Sequence, residues 1–123
     1  MKKVLVIEDD KNLLPIFKKQ LGEHFNVKIA TTGDEGPDLA TSFEPDFIIL
    51  DLILPGSKSG MHVLMELKGL AKTSPIPVMV LTNLEGQTQL ALENGAVKCL
   101  IKADTTFKSI VETIKEFVDT KRE

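Results

Sequence analysis

The chain has 123 residues, 42% of them hydrophobic and 27% charged, with 18 acidic against 15 basic side chains and a formal net charge of −3. That length supports one compact domain with its own core and is short for two, and the acidic excess argues against a nucleic-acid surface, which needs clustered Lys and Arg. One cysteine excludes an internal disulfide, no apolar run approaches the roughly 20 residues that span a bilayer, and the short run after the basic start MKK is no signal peptide. The expectation is a soluble, cytoplasmic chain, a single domain over residues 1–123, without direct nucleic-acid or membrane partners.

In chain order, Val4 to Ile7 (VLVI) reads as a strand of four apolar residues that runs straight into Glu8, Asp9 and Asp10. A helical pattern follows from Lys11 to Gly22, then a strand from Phe25 to Ala30 and a helix from about Gly33 to Phe43. The strand Phe47 to Leu50 (FIIL) leads into Asp51, and a helix is expected from Gly60 to Leu70 before the Pro-rich TSPIP. Val78 to Thr82 (VMVLT) is the fourth strand, Gly86 to Asn94 the fourth helix, and Val97 to Lys102 (VKCLIK) the fifth strand. The last helix, Thr106 to Lys121, is the clearest. Phe107, Ile110, Val111, Ile114, Phe117 and Val118 share one face, with Thr105 or Thr106 available as N-cap.

Strand and helix therefore alternate five times. Strands apolar throughout must be covered on both faces, so a doubly wound three-layer α/β sandwich with a parallel five-stranded sheet is expected. Such folds bind ligands outside the carboxyl ends of their strands. Those ends present Glu8, Asp9 and Asp10, then Asp51, Thr82 and Lys102.

Each of these residues has an ordinary explanation taken singly: Asp9 or Asp10 as a helix cap, Asp51 as a turn residue, Thr82 as a β-former, Lys102 as a solvated amine. Taken together they carry one chemistry on one rim. Clustered carboxylates repel one another, and a hard divalent cation such as Mg²⁺ relieves that repulsion through oxygen ligands. A carboxylate beside such a metal can attack a phosphoryl group and form an acyl phosphate, which makes Asp51 the natural nucleophile. The ammonium of Lys102 and the hydroxyl of Thr82 then meet the negative charge on the phosphoryl oxygens.

These stretches resemble the receiver domain of two-component response regulators. VLVIEDD resembles its acidic pair, DLILPG its phosphoacceptor loop, VLTN its switch-hydroxyl strand and LIKAD its lysine strand, and the likeness runs from Lys3 to Lys121. It implies a flavodoxin-like fold with strand order 2-1-3-4-5. It also implies Mg²⁺ held by Glu8, Asp9, Asp51 and the Ile53 carbonyl, with Asp51 as phosphoacceptor, Thr82 as switch, Lys102 as phosphoryl contact and Asp10 as a flanking acid and helix cap. The implied partners are a sensor histidine kinase or histidine phosphotransfer protein, and a downstream protein met through the face of the fourth helix, fifth strand and fifth helix. The implied activity is a phosphorelay switch that catalyses only its own phosphorylation and dephosphorylation, with output through protein contact because the chain ends at Glu123.

The chain departs from the family pattern in four places. Cys99 stands where an aromatic usually sits three positions before the lysine, so either the output face moves without an aromatic or Cys99 packs as a small core residue and coupling is weak; a redox role is a further alternative. Ala103 stands where a proline usually follows, and a trans bond with a shifted loop is expected because a cis bond before a non-proline residue costs roughly 2.5–4 kcal/mol. LPGSKSG is one residue longer than usual, so a bulge is expected near Ser57 to Ser59. Pro15 implies a kink or a late start in the first helix, while Pro37 is tolerated if the second helix begins near Gly36.

His24 and His62 have no paired acid or cysteine at ligand spacing, and neither is read as taking part in phosphoryl transfer. Ile53 and Leu84, each two positions beyond a site residue, are apolar, which predicts slow loss of the phosphoryl group. Two other functions compete. A phosphorylation-independent interaction module would keep partner binding in an Asp51→Asn variant; an aspartyl-phosphate phosphatase would want a second Asp where Ile53 stands. A flavin-binding reading lacks a Ser/Thr-rich phosphate loop after the first strand.

Overall fold

The computed structural model describes residues 1–120. Its elements are β1 (Lys3–Ile7), α1 (Leu14–Gly22), β2 (Asn26–Ala30), α2 (Glu35–Phe43), β3 (Phe47–Leu50), α3 (Gly60–Gly69), β4 (Val78–Thr82), α4 (Thr88–Glu93), β5 (Lys98–Ile101) and α5 (Phe107–Thr120). The five strands are parallel, in the expected order β2-β1-β3-β4-β5. Alternating side chains divide the core in two. On one face Leu5, Ile7, Ile48, Leu50, Val78 and Val80 pack with Ala40 of α2, Val63, Leu64 and Leu67 of α3, and Ala91 of α4. On the other, Val4, Val6, Phe47, Ile49, Met79 and Leu81 meet Phe17 and Leu21 of α1 and Ile110, Ile114 and Val118 of α5. Burial of each large aliphatic side chain contributes roughly 1.5–3 kcal/mol, so this two-sided burial holds helices against both faces of the sheet. β2 is an edge strand and exposes Asn26 and Lys28, charge and polarity that discourage further strand pairing.

The register puts the site at one edge. Ile7 pairs with Leu50, Leu50 with Val80, and Thr82 with Ile101. The next residues, Glu8, Asp51 and Lys102, therefore emerge side by side.

The late start expected of the first helix is found, while α4 and β5 depart from the sequence-based expectation for local reasons and other boundaries move by a residue or two. α1 starts late, with Pro15 in its first turn, because proline has no N–H to give and its ring clashes with the preceding turn. Asp10 consequently does not cap the helix. Its Oδ1 accepts from the Asn12 N–H at 2.9 Å, and its carbonyl accepts from Leu13 and Leu14, in the turn ahead of α1. α4 is shorter than expected because Gly86 at φ 80° and Gly95 at φ 103° lie in the left-handed region and bound it. β5 ends at Ile101, so Lys102 opens a 3-10 turn, Lys102–Asp104, instead of closing the strand.

Other expectations hold. Thr106 caps α5, its Oγ1 accepting from the Ser109 N–H at 3.0 Å; the expected last residue of that helix, Lys121, lies outside the described residues. Pro37 falls in the first turn of α2, where N–H groups have no helical partner. No cis peptide bond occurs among the described residues, so the bond before Ala103 is trans. The LPGSKSG loop, with Gly56 at φ 94°, lays Lys58 between Glu66 (2.8 Å) and Asp34 (4.0 Å). A Cβ on Gly33 would come within 2.7 Å of the Lys58 carbonyl, so the loop lies close over the start of α2.

Candidate phosphoryl-transfer and metal site

Two buried carboxylates share one ammonium. Glu8 is 2% exposed and Asp51 5% exposed, and Lys102 Nζ lies 2.5 Å from Glu8 Oε1 and 2.8 Å from Asp51 Oδ2. The other oxygens are held by backbone donors. Glu8 Oε2 accepts from the N–H groups of Asp9 and Asp10, both at 3.0 Å, and Asp51 Oδ1 accepts from the Ile53 N–H at 3.2 Å.

Burial pushes the Glu8 carboxyl above its ordinary range, and the Asp51 charge adds to this, against the opposing hydrogen bonds from Lys102 and the Asp10 N–H. For Lys102, burial alone would lower the amine's pKa, but the hydrogen bonds to Asp51 and Glu8 together outweigh it and raise the value. The ammonium is therefore locked in its charged form, as a fixed cation at the site.

Glu8, Asp9 and Asp51 each bring a carboxylate oxygen into a group whose members lie within 4.8 Å of one another. An all-oxygen, all-carboxylate set is the chemistry that hard cations such as Mg²⁺ take, so these residues fit that ion. They border a cleft of about 310 Å³ lined by Glu8, Asp9, Asp51, Ile53 and Lys102, with Asp10 and Asn83 completing it. Five of the expected residues thus meet there. Thr82 stands beside them at the end of β4, fully buried, with its Oγ1 accepting from the Leu84 N–H at 3.1 Å.

The loop after Asp51 depends on a glycine. The Gly60 N–H donates to the Leu52 carbonyl at 2.9 Å, and a Cβ at that position would stand 2.1 Å from the Asp51 carbonyl oxygen and 2.3 Å from Leu52 Cα. Only glycine lets α3 begin this close to the acidic residue. Cys99 is half-buried against the core face built from Val78, Val80 and Ala91, which fits a small packing residue.

Asn83 is the residue that sequence reasoning overlooked. It lines the cleft, and its Oδ1 accepts from the Ala103 N–H at 3.0 Å. The only available signal was its place directly after Thr82 at a strand end.

The sequence pattern of the response regulator receiver domain matches residues 4–115. The chain belongs to that family. The receiver domain is similar in structure to the BeF3-activated N-terminal receiver domain of RstA from Klebsiella pneumoniae, at 28% identity and a TM-score of 0.85, covering 95% of this chain and 98% of that one. It is likewise similar to a response regulator receiver domain protein from Clostridium thermocellum, at 28% identity and a TM-score of 0.87, covering 99% and 98%. The receiver domain of the sensor histidine kinase PA1611 from Pseudomonas aeruginosa, solved with a magnesium ion coordinated in its active site cleft, shares the fold at 19% identity and a TM-score of 0.86, covering 96% and 98%. Receiver domains are signalling switches of two-component systems rather than enzymes of the ordinary kind, and they interact with histidine kinases and downstream effectors. No helix among the described residues is long and apolar enough to cross a membrane.

Proposed function

We propose that this receiver domain, taken as one unit over residues 1–123, is a phosphorylation-dependent switch in a cytoplasmic two-component or phosphorelay pathway. The observation that carries the reading is Asp51 bound to Lys102 at 2.8 Å within the Glu8–Asp9–Asp51 carboxylate group.

In the reaction, an Asp51 carboxylate oxygen attacks the phosphorus of a phosphohistidine on a sensor kinase or phosphotransfer protein. The P–O bond to Asp51 forms, the P–N bond breaks, and the imidazole leaves with the bonding electron pair. Glu8, Asp9, Asp51 and the Ile53 carbonyl would hold Mg²⁺, which when bound supplies charge neutralisation for the phosphoryl oxygens. Lys102 places its ammonium against a phosphoryl oxygen, exchanging part of its contact with Asp51 for one with the transferred group. Thr82 gives up the Leu84 N–H and turns its hydroxyl toward the acyl phosphate. These new contacts favour one of two arrangements of the α4, β5 and α5 face, where a downstream protein binds.

The test is incubation with phosphoramidate and Mg²⁺ followed by intact-mass measurement. The wild type gains one phosphoryl group and Asp51→Asn gains none; equal gain by both, or none by the wild type, contradicts the reading. Cys99 and Ala103, standing where the family usually has an aromatic residue and a proline, support a second reading, a module that binds its partner regardless of phosphorylation. Undiminished partner binding by Asp51→Asn would favour it.

A further inference from the structure

Asn83 and Ala103 each follow a site residue, Thr82 and Lys102 respectively, and the two are joined across 20 residues of sequence by the 3.0 Å hydrogen bond from the Ala103 N–H to Asn83 Oδ1. Both residues are exposed, so burial does not hold this contact together. The N–H belongs to the Lys102–Ala103 peptide unit. On the opposite edge of that unit the Lys102 carbonyl accepts from the Thr105 N–H at 3.2 Å, while Thr105 Oγ1 donates to the Ile101 carbonyl at 2.7 Å. The peptide plane from which the Lys102 side chain departs is therefore gripped at both edges. A proline at 103 would have no N–H, so the grip from Asn83 exists because alanine stands there.

We propose that Asn83 is a positioning residue for phosphoryl transfer, acting through the Ala103 amide to hold the Lys102 turn against the segment that carries Thr82. This rests on the proposed reading of the site. Lys102 is a flexible four-carbon stem whose head is held at rest by Glu8 and Asp51. When the Asp51 oxygen turns from that ammonium to phosphorus, part of the hold on the head is released, and the backbone must keep the amine in reach. Small misplacements of such a group are costly in rate, and the fixed peptide plane prevents them. The same bond makes the Thr82 and Lys102 segments move together.

The experiment compares wild type, Asn83→Ala, Ala103→Pro and the double variant for phosphoryl gain from phosphoramidate at saturating Mg²⁺, and amide exchange at Ala103 in wild type, Asn83→Ala and Asn83→Asp. Each single variant lowers the saturating rate about fivefold, as loss of one neutral hydrogen bond predicts, and leaves the half-saturating donor concentration unchanged. The double variant is no slower than either single, because both remove one shared bond. The Ala103 amide exchanges about fivefold faster in Asn83→Ala than in wild type, and Asn83→Asp, which keeps an acceptor oxygen, restores the protection. Wild-type rates in Asn83→Ala, multiplied effects in the double variant, or equal Ala103 exchange in wild type and Asn83→Ala would each overturn the inference. Should Ala103→Pro fail to fold, the Asn83→Ala rate and the exchange comparison decide it. A wild type that accepts no phosphoryl group overturns the site's proposed function and this role with it; failure of the role alone shows as an active wild type matched by Asn83→Ala.

Discussion

Lys102 and Asp51, 51 positions apart in sequence, meet at 2.8 Å across the carboxyl edge of the sheet, and Glu8 takes the same ammonium at 2.5 Å. One cation thus offsets two buried carboxylates, which could not both stay ionised at low cost without it. Replacing Lys102 by Met should destabilise the metal-free domain by about 3 kcal/mol, since it strands two buried acids. It should also enlarge the stabilisation gained from Mg²⁺ and lower phosphoryl acceptance at least tenfold. Thermal denaturation with and without Mg²⁺, beside intact-mass kinetics, measures all three effects.

The raised pKa of Glu8 sets a pH dependence. Burial lifts its folded-state value above the ordinary 4.5, so the native protein holds this proton at a pH where the unfolded chain has released it. The Glu8 contribution to stability therefore declines as pH rises from about 4.5 through the folded-state value. Metal binding needs the carboxylate, so Mg²⁺ affinity falls as pH is lowered through the same range. In Glu8→Gln both slopes should flatten, and the metal-free variant should be more stable than wild type at pH 7; denaturant midpoints between pH 4.5 and 7.5 report this. Lys102 acts in the other direction. Its pKa is raised from 10.5, so its stabilising contribution is complete below 10.5 and is lost as pH climbs through the folded-state value.

Gly60→Ala should be among the most damaging single substitutions. The added Cβ would lie 2.1 Å from the Asp51 carbonyl oxygen, so either α3 or the loop after Asp51 must move. A loss of about 2–4 kcal/mol is expected from overpacking against backbone, with reduced phosphoryl acceptance even where the variant folds. Gly69→Ala, whose Cβ meets nothing within 4 Å, is the matched control and should leave stability within about 0.5 kcal/mol of wild type or better.

Ile53 is 56% exposed and Leu84 40% exposed, and neither has a polar side chain that could orient water near Asp51. Ile53→Asn should shorten the lifetime of the acyl phosphate by several-fold to about tenfold by supplying such a group. The decay of the +80 Da species, timed by intact mass after removal of the donor, is the readout; an unchanged lifetime would show that Ile53 does not limit water.

The fold was legible because its signals are repeated and physical. Strands such as Phe47–Leu50 and Val78–Thr82, apolar on both faces, demand cover on both sides, and their carboxyl ends necessarily share an edge in a parallel sheet. Glu8, Asp9, Asp51 and Lys102 could be placed together on that ground. What escaped was local geometry. The Asp10 turn ahead of α1 follows from how Pro15 displaces a helix start, and the short α4 depends on the left-handed conformations of Gly86 and Gly95, which composition does not specify. The Asn83–Ala103 bond lay hidden for a different reason: both residues look like ordinary exposed loop positions until two strand ends bring them within 3.0 Å.

The central claim, that chemistry at Asp51 changes a distant face, is tested most directly by amide hydrogen exchange with Mg²⁺, with and without the phosphoryl mimic beryllofluoride. The account predicts new protection at Asp51 to Ile53, Thr82 to Leu84 and Lys102 to Ala103, with changes that extend into α4 and β5. Protection confined to the three site segments, with α4 and β5 unaltered, would contradict it.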